Sequence, residues 1–144
     1  PFWRVHKWHH SPNYMYWLAG VRASLPQVIM AGLPFTLWLP LLRPIPPLYF
    51  VLYSVFLIVT NNWMHMNVAW RSRWLEWILV TPRYHHIHHG DEARFYMRNF
   101  GVVFTFWDRM FGTYADPETV GTDIRFGIRE PDHSVRLAIG VWTA

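Results

Sequence analysis

The chain has 144 residues, of which only 15% are charged and 19% are aromatic, including ten Trp. A typical soluble domain has about 25% charged residues, and this abundance of Trp is typical of proteins that meet a membrane interface. The absence of cysteine excludes disulfides, thiolate metal sites and cysteine nucleophiles, and the scattered basic residues behind the net charge of +4 favour a membrane surface over nucleic acid.

The chain opens on a histidine cluster with the spacing H-x-x-H-H, formed by His6, His9 and His10. On an α-helix, positions i, i+3 and i+4 lie within an arc of roughly 100°. Three imidazoles on one face can converge on one metal or divide between two. Because the cluster follows Pro1 without a Met or a signal peptide, we expect an internal fragment of a longer protein.

Two apolar segments follow, at roughly 25–42 and 48–64. Three prolines in the first segment predict a kinked helix or a re-entrant segment. A membrane span needs about 20 residues, a length that residues 47–68 meet and residues 22–42 meet marginally. The alternative is a pair of buried core helices in a soluble protein.

A proline-rich stretch, Arg43–Pro47, separates these segments and predicts a turn between two membrane helices. A helical hairpin returns the chain to the side that it left, so the histidines before and after it would share one face. Basic residues flank that face, and the positive-inside rule makes it cytoplasmic. We therefore expect an all-α, multi-pass integral membrane protein with a cytosolic helical cap.

The second half holds all nine carboxylates, between Glu76 and Asp132. Its pattern predicts a helix over 74–80, a helix start at Thr81-Pro82 and a helix over 84–89. A further helix over 99–111 would be capped by Gly112. The tail, 113–144, is expected to be rich in loops.

Eight of the nine histidines fall in three places, and His85, His88 and His89 repeat the H-x-x-H-H spacing after the isolated His65. Seven clustered histidines exceed the four ligands of a typical zinc site, which favours a binuclear centre. His86, in the gap of the last cluster, is expected to support the ligands or to face solvent. His133 is expected to be an ordinary surface residue.

Asn67 lies about 200° from His65 if their helix continues, so it reaches the site only if the helix ends or bends there. Other metal chemistries fit the sequence less well. There is no H-E-x-x-H motif, and Glu130-x-x-His133, with Pro131 inside it, is the only Glu-x-x-His spacing for a carboxylate-bridged centre. A haem site would use only two of the histidines.

Several segments together resemble the fatty acid hydroxylase superfamily, which includes the sterol desaturases. The resemblance is carried, in this order, by Trp3–Pro12, Trp63–Val68, Thr81–His89, Asn99–Gly101 and Trp107–Tyr114. The superfamily has an earlier H-x-x-x-H box, which does not occur here, so we expect 1–144 to be one such domain that is incomplete at its N-terminus.

The resemblance implies a membrane fold whose cytosolic cap holds two iron ions, with O2 as co-substrate and a cytochrome b5-like or ferredoxin-type electron donor. The implied iron ligands are His6, His9, His10, His65, His85, His88 and His89. Asp108 would be a structural residue near the site.

The expected function is oxygen-dependent hydroxylation or desaturation of a fatty acyl, sterol or related lipid. A bacterial inner membrane is favoured over the endoplasmic reticulum, and no nucleic-acid partner is expected. The alternative is a non-catalytic membrane protein with a zinc-binding histidine cap.

Overall fold

The fold is all-helical, as predicted, in a computed structural model that describes residues 2–38, 46–70, 72–129 and 134–139. This part of the chain contains no β-strand, and only two isolated bridges join Leu79 to Phe104 and Gly90 to Phe126. Short 3-10 turns occur at Trp17–Val21 and Ala93–Phe95. The α-helices are α1 (Phe2–His6), α2 (Leu25–Trp38), α3 (Pro47–Met64), α4 (Arg73–Glu76), α5 (Pro82–His89), α6 (Phe106–Phe111), α7 (Pro117–Val120) and α8 (Ser134–Ile139).

Helix α3 is long and apolar enough to cross a membrane, with 18 residues and a mean hydropathy of 1.2. Met64, at its C-terminal end, is its only buried residue. Apolar side chains such as Leu52, Phe56 and Val59 are exposed along its length. A core helix of a soluble domain would bury these side chains, so the alternative of a buried core helix does not fit α3.

Helix α2 begins after Ser24, whose hydroxyl accepts a hydrogen bond from the Gln27 N–H. Pro26 lies in the first turn, where its missing N–H costs nothing. The helix continues through Pro34 to Trp38 as a single element. The predicted proline-rich turn lies largely in 39–45, outside the described residues, so the helical hairpin stays a prediction.

Helix α5 starts where the sequence predicts. The Thr81 hydroxyl accepts from the Tyr84 N–H at 3.3 Å, and Pro82 occupies the first helical position. Tyr84 is fully buried in a core with Met64 and Val80, against which Tyr114 packs. Since Met64 ends α3, this core holds α5 against the end of the apolar helix.

One helix was predicted over 99–111, but the structure is helical only from Phe106 onward. Asn99 has a left-handed backbone with φ of 53°, a conformation that ends regular helices. Its side chain donates to the Tyr84 carbonyl at 3.0 Å and accepts from the Ala115 N–H at 2.7 Å. Asn99 therefore joins the chain after α6 to α5 instead of starting a helix.

The predicted helix over 74–80 is also shorter, because its last residues pair with the segment before α6. The Val80 N–H donates to the Val103 carbonyl at 2.9 Å, and the Thr105 N–H donates to the Ile78 carbonyl at 3.1 Å. These hydrogen bonds between the two segments take the place of hydrogen bonds within a helix. Gly112 caps α6 as predicted, with φ of 71°, and the tail carries the short helices α7 and α8.

Replacing Thr81 by Ala should lower the free energy of unfolding by about 1–2 kcal/mol. The change removes the cap of α5 and a 3.0 Å hydrogen bond from the buried hydroxyl to Glu76. Thermal unfolding in detergent measures the effect. Thr119→Ala, which removes an exposed hydroxyl that donates to a backbone carbonyl, is the control, and equal midpoints for the two variants would contradict the capping role.

Candidate metal centre

The two H-x-x-H-H clusters differ in backbone conformation. His85, His88 and His89 lie on one helix, α5. In the first cluster, α1 ends at His6, and His9 and His10 lie in the turn that follows. The prediction of three histidines on one helical face therefore holds for the second cluster only.

Hydrogen bonds fix the turn that carries His9 and His10. The Ser11 hydroxyl donates to the Trp8 carbonyl at 2.9 Å and accepts from the Arg22 guanidinium at 2.6 Å. The Ser24 hydroxyl donates to the Val5 carbonyl at 2.6 Å, which ties the start of α2 to α1. Local sequence does not predict this frame, because it joins residues up to 19 positions apart.

Four histidines from three parts of the chain meet at one point. His65 Nε2 lies 3.0 Å from His9 Nε2 and 3.1 Å from the Nε2 atoms of both His85 and His89. All four residues are buried. We name His9, His65, His85 and His89 the four-histidine group.

The remaining three predicted ligands, His6, His10 and His88, form a second group, which we name the three-histidine group. Their candidate ligand atoms lie within 4.8 Å of one another. His10 is buried, whereas His6 and His88 are half-buried. The structure thus brings all seven histidines together, and divides each H-x-x-H-H cluster between the two groups.

The two groups are direct neighbours. The His10 ring stacks on the His89 ring with centroids 4.2 Å apart, and the His9 and His10 rings are 5.6 Å apart. Adjacent residues in the chain thus contribute to different groups. This arrangement fits a binuclear centre better than two separate metal sites.

The hydrogen-bond partners of the outward-facing ring nitrogens show which nitrogen of each ring carries the hydrogen and which carries the lone pair. His9 Nδ1 lies 3.1 Å from the Arg22 carbonyl, and His65 Nδ1 lies 2.6 Å from the Asn61 carbonyl. A carbonyl oxygen only accepts, so each Nδ1 carries the hydrogen and each Nε2 of a neutral ring carries a lone pair. The Nε2 atoms of His9 and His65 then face each other without a proton between them.

A metal ion resolves this repulsion. Two nitrogens bound at right angles, each about 2.1 Å from one ion, lie about 3.0 Å apart, which matches the distances in the four-histidine group. In the other group, His88 Nδ1 lies 3.1 Å from the Arg98 carbonyl, and His10 Nε2 is buried without a hydrogen-bond partner. Uncharged imidazole nitrogens suit iron, zinc or copper, so the residues present fit a metal centre.

The environment of these histidines favours their neutral form. Burial, and then the neighbouring imidazoles, lower the pKa of His10, His85 and His89 well below the ordinary value of 6.5. Burial lowers the pKa of His88 to about 4. Neutral rings are the form that binds metal.

Acidification is therefore expected to destabilise the metal-free fold. Because the folded pKa values lie below those of the unfolded chain, the unfolded chain takes up more protons as the pH falls from 6.5 toward 4. Stability contributed by these groups is complete above pH 6.5 and is lost across that window. Thermal midpoints of the chelator-treated protein should fall between pH 7 and pH 5 and stay level above pH 7, and a flat profile would contradict these neutral histidines.

Other predicted site residues lie outside the two groups. His86 is half-buried, and its Nε2 lies 3.1 Å from the Met66 carbonyl. Asn67 is exposed, beyond the end of α3. His133 is outside the described residues.

Asp108 is buried and is a hub of four hydrogen bonds, one of them to Tyr84 on α5. Its carboxylate accepts from the Phe100 N–H at 2.8 Å, from the Gly101 N–H at 2.7 Å, and from the hydroxyls of Tyr84 and Thr113. Burial raises the pKa of Asp108, but these bonds outweigh it and lower the pKa below its ordinary value. The sequence analysis singled out Asn99 only as part of the Asn99–Gly101 segment and did not predict its hydrogen bonds. It also missed the carbonyls that orient the rings, because backbone acceptors leave no signal in the residue types.

Comparison with known proteins agrees with this geometry. The profile of the fatty acid hydroxylase family matches residues 1–113. Over 90% of its length the chain is similar to the alkylglycerol monooxygenases of Danio rerio, at 33% identity, and Homo sapiens, at 30%. It is 28% identical, over 80% of its length, to an ornithine lipid hydroxylase of Rhizobium tropici.

The chain spans 28% of the length of these two monooxygenases and 34% of the hydroxylase. No solved structure matches it. The family profile nevertheless covers most of the chain, including all seven histidines of the two groups. The chain therefore belongs to the fatty acid hydroxylase family.

Proposed function

We propose that this chain is the metal-binding part of a membrane-bound, oxygen-dependent lipid oxidoreductase. The seven histidines would supply ligands to two iron ions, four to one ion and three to the other. The observation that carries the proposal is the convergence of these imidazoles into two adjacent groups, with the Nε2 lone pairs of His9 and His65 facing inward. When bound, the irons supply the oxygen activation that oxidation of an unreactive C–H bond requires.

The protein's own contribution is to hold and shield the ions. Carbonyls of Arg22, Asn61 and Arg98 orient three of the rings. Such outer hydrogen bonds fix the tautomer and raise the affinity for metal. Burial of the four-histidine group keeps water away from its ion.

The named relatives support a lipid as the substrate and hydroxylation as the reaction. One is called an alkylglycerol monooxygenase and another an ornithine lipid hydroxylase. Both names describe insertion of oxygen, which favours hydroxylation over desaturation for this chain.

The membrane setting and the partner are parts of the same proposal. The exposed apolar helix α3 suits a bilayer, and His65 directly follows it. We propose a multi-pass protein with its histidines on the cytoplasmic face, in a bacterial inner membrane. A cytochrome b5-like or ferredoxin-type protein supplies the electrons that reduction of O2 at the irons requires.

The test is metal analysis of the full-length protein, purified in detergent without added metal, combined with turnover of a lipid under isotope-labelled dioxygen. Two irons per chain and label in a hydroxylated lipid are expected. One zinc per chain and no oxygen-dependent product would overturn the proposal. That result would favour a non-catalytic protein in which the four-histidine group holds zinc, since four ligands are the usual zinc set.

A further inference from the structure

An apolar groove of about 610 Å³ runs along α6 and the segment before it. Its volume lies in the range of roughly 300–1,000 Å³ that is usual for small-molecule sites. Two polar residues in its lining, Asp108 and Thr113, are hydrogen-bonded to each other. The groove thus presents mainly hydrocarbon, chiefly from Phe100, Val103, Phe104, Trp107 and Phe111.

The aromatic wall of the groove is exposed. Trp107 is 48% exposed and Phe111 is 70% exposed, and their nearly parallel rings have centroids 6.5 Å apart. Exposed aromatic patches of this kind mark binding surfaces. Apolar contact is therefore the chemistry that this wall offers a ligand.

The groove is preformed because its backbone is held in place. The Asp108 carboxylate binds the N–H groups of Phe100 and Gly101, which fixes the preceding segment against α6. A Cβ at Gly101 would lie 2.6 Å from the Phe104 carbonyl oxygen. Only glycine permits this close approach.

One residue of the groove lining contacts the metal centre. The ring of Phe100, in the groove lining, lies 5.4 Å from the ring of His88. His88 belongs to the three-histidine group, which offers fewer nitrogens than its neighbour and is less buried. Because His6 and His88 are half-buried, this group is the more accessible of the two to a ligand.

We propose that this groove, the α6 groove, holds the hydrocarbon chain of a single-chain lipid and delivers it to the three-histidine group. The inference rests on the proposed function and adds where the lipid lies and which of the two groups faces it.

Photoaffinity labelling tests the groove without relying on activity. The probe is a single-chain lipid with a diazirine at the end of its chain, added to the full-length protein in lipid nanodiscs, and mass spectrometry locates the labelled residues. Trp107→Ala removes part of the groove wall. Met110→Ala is the matched control, because Met110 is an exposed residue of the same helix that does not line the groove.

Labelling of groove-lining residues such as Phe100, Phe104 and Phe111 that unlabelled lipid competes away is expected. Trp107→Ala should lower this saturable labelling roughly tenfold, and Met110→Ala should leave it unchanged. Labelling that is not saturable and covers Met110 and Trp74 equally would show general contact with the bilayer and overturn the inference. Equal labelling of the two variants would overturn it as well.

Iron content, measured on the same samples, separates the two proposals. Iron with oxygen-dependent product but no saturable labelling would leave the proposed function standing and reject the groove. Saturable groove labelling without iron would support the lipid site and reject the proposed oxidoreductase.

Discussion

Replacing His65 by Ala is expected to remove at least one of the two irons, whereas replacing His86 by Ala should leave the iron content unchanged. His65 Nε2 lies within 3.1 Å of the Nε2 atoms of three other histidines, at the centre of the four-histidine group. Without the His65 imidazole, the four-histidine group has only three ligand nitrogens, and water can enter the space that the ring occupied. His86 lies on α5 between two predicted ligands, but its ring nitrogen faces the Met66 carbonyl.

Elemental analysis after gel filtration measures this difference, and circular dichroism checks the fold of each variant. His65→Gln, which keeps most of the side-chain volume but not the imidazole, should lose iron as His65→Ala does. His88→Ala changes only the three-histidine group and should lose one ion while the other stays. Iron content equal to that of the unaltered protein in His65→Ala and His65→Gln would exclude the four-histidine group as a metal site.

Replacing Asp108 by Asn is expected to lower the free energy of unfolding by about 3 kcal/mol or more. Each oxygen of the carboxylate accepts two hydrogen bonds, one from a backbone N–H and one from a hydroxyl. The side-chain amide of Asn has an NH2 group in place of one carboxylate oxygen. The hydrogens of this group would face the N–H and O–H donors that now bond to that oxygen. The change also removes the negative charge that strengthens these bonds.

Thermal unfolding of the metal-free protein measures the loss. Asp123→Asn, a change at an exposed carboxylate, is the control and should lie within about 0.5 kcal/mol of the unaltered protein. Because Asp108 binds Tyr84 on α5, Asp108→Asn should also weaken iron retention. An unfolding midpoint equal to that of Asp123→Asn would contradict the role of Asp108 as a hub.

Local patterns in the sequence predicted the elements that depend on local chemistry. Thr81-Pro82 indicated the start of α5, since capping needs only neighbouring residues. The apolar run indicated α3, and Gly112 indicated the end of α6. The helix predicted over 99–111 failed at Asn99, whose partners Tyr84 and Ala115 are 15 and 16 residues away.

By itself, the sequence determined which seven histidines are candidate ligands and that an apolar helix accompanies them. Both features depend only on the types of the residues and their spacing in the sequence. Only the tertiary structure decided how the histidines divide into groups of four and three. His88 shares α5 with His85 and His89, but its partners are His6 and His10, whereas His65 and His9 meet His85 and His89. The packing of α3 and of the turn after α1 against α5 sets that division, and contacts between residues up to 56 positions apart leave no periodic signal in the sequence.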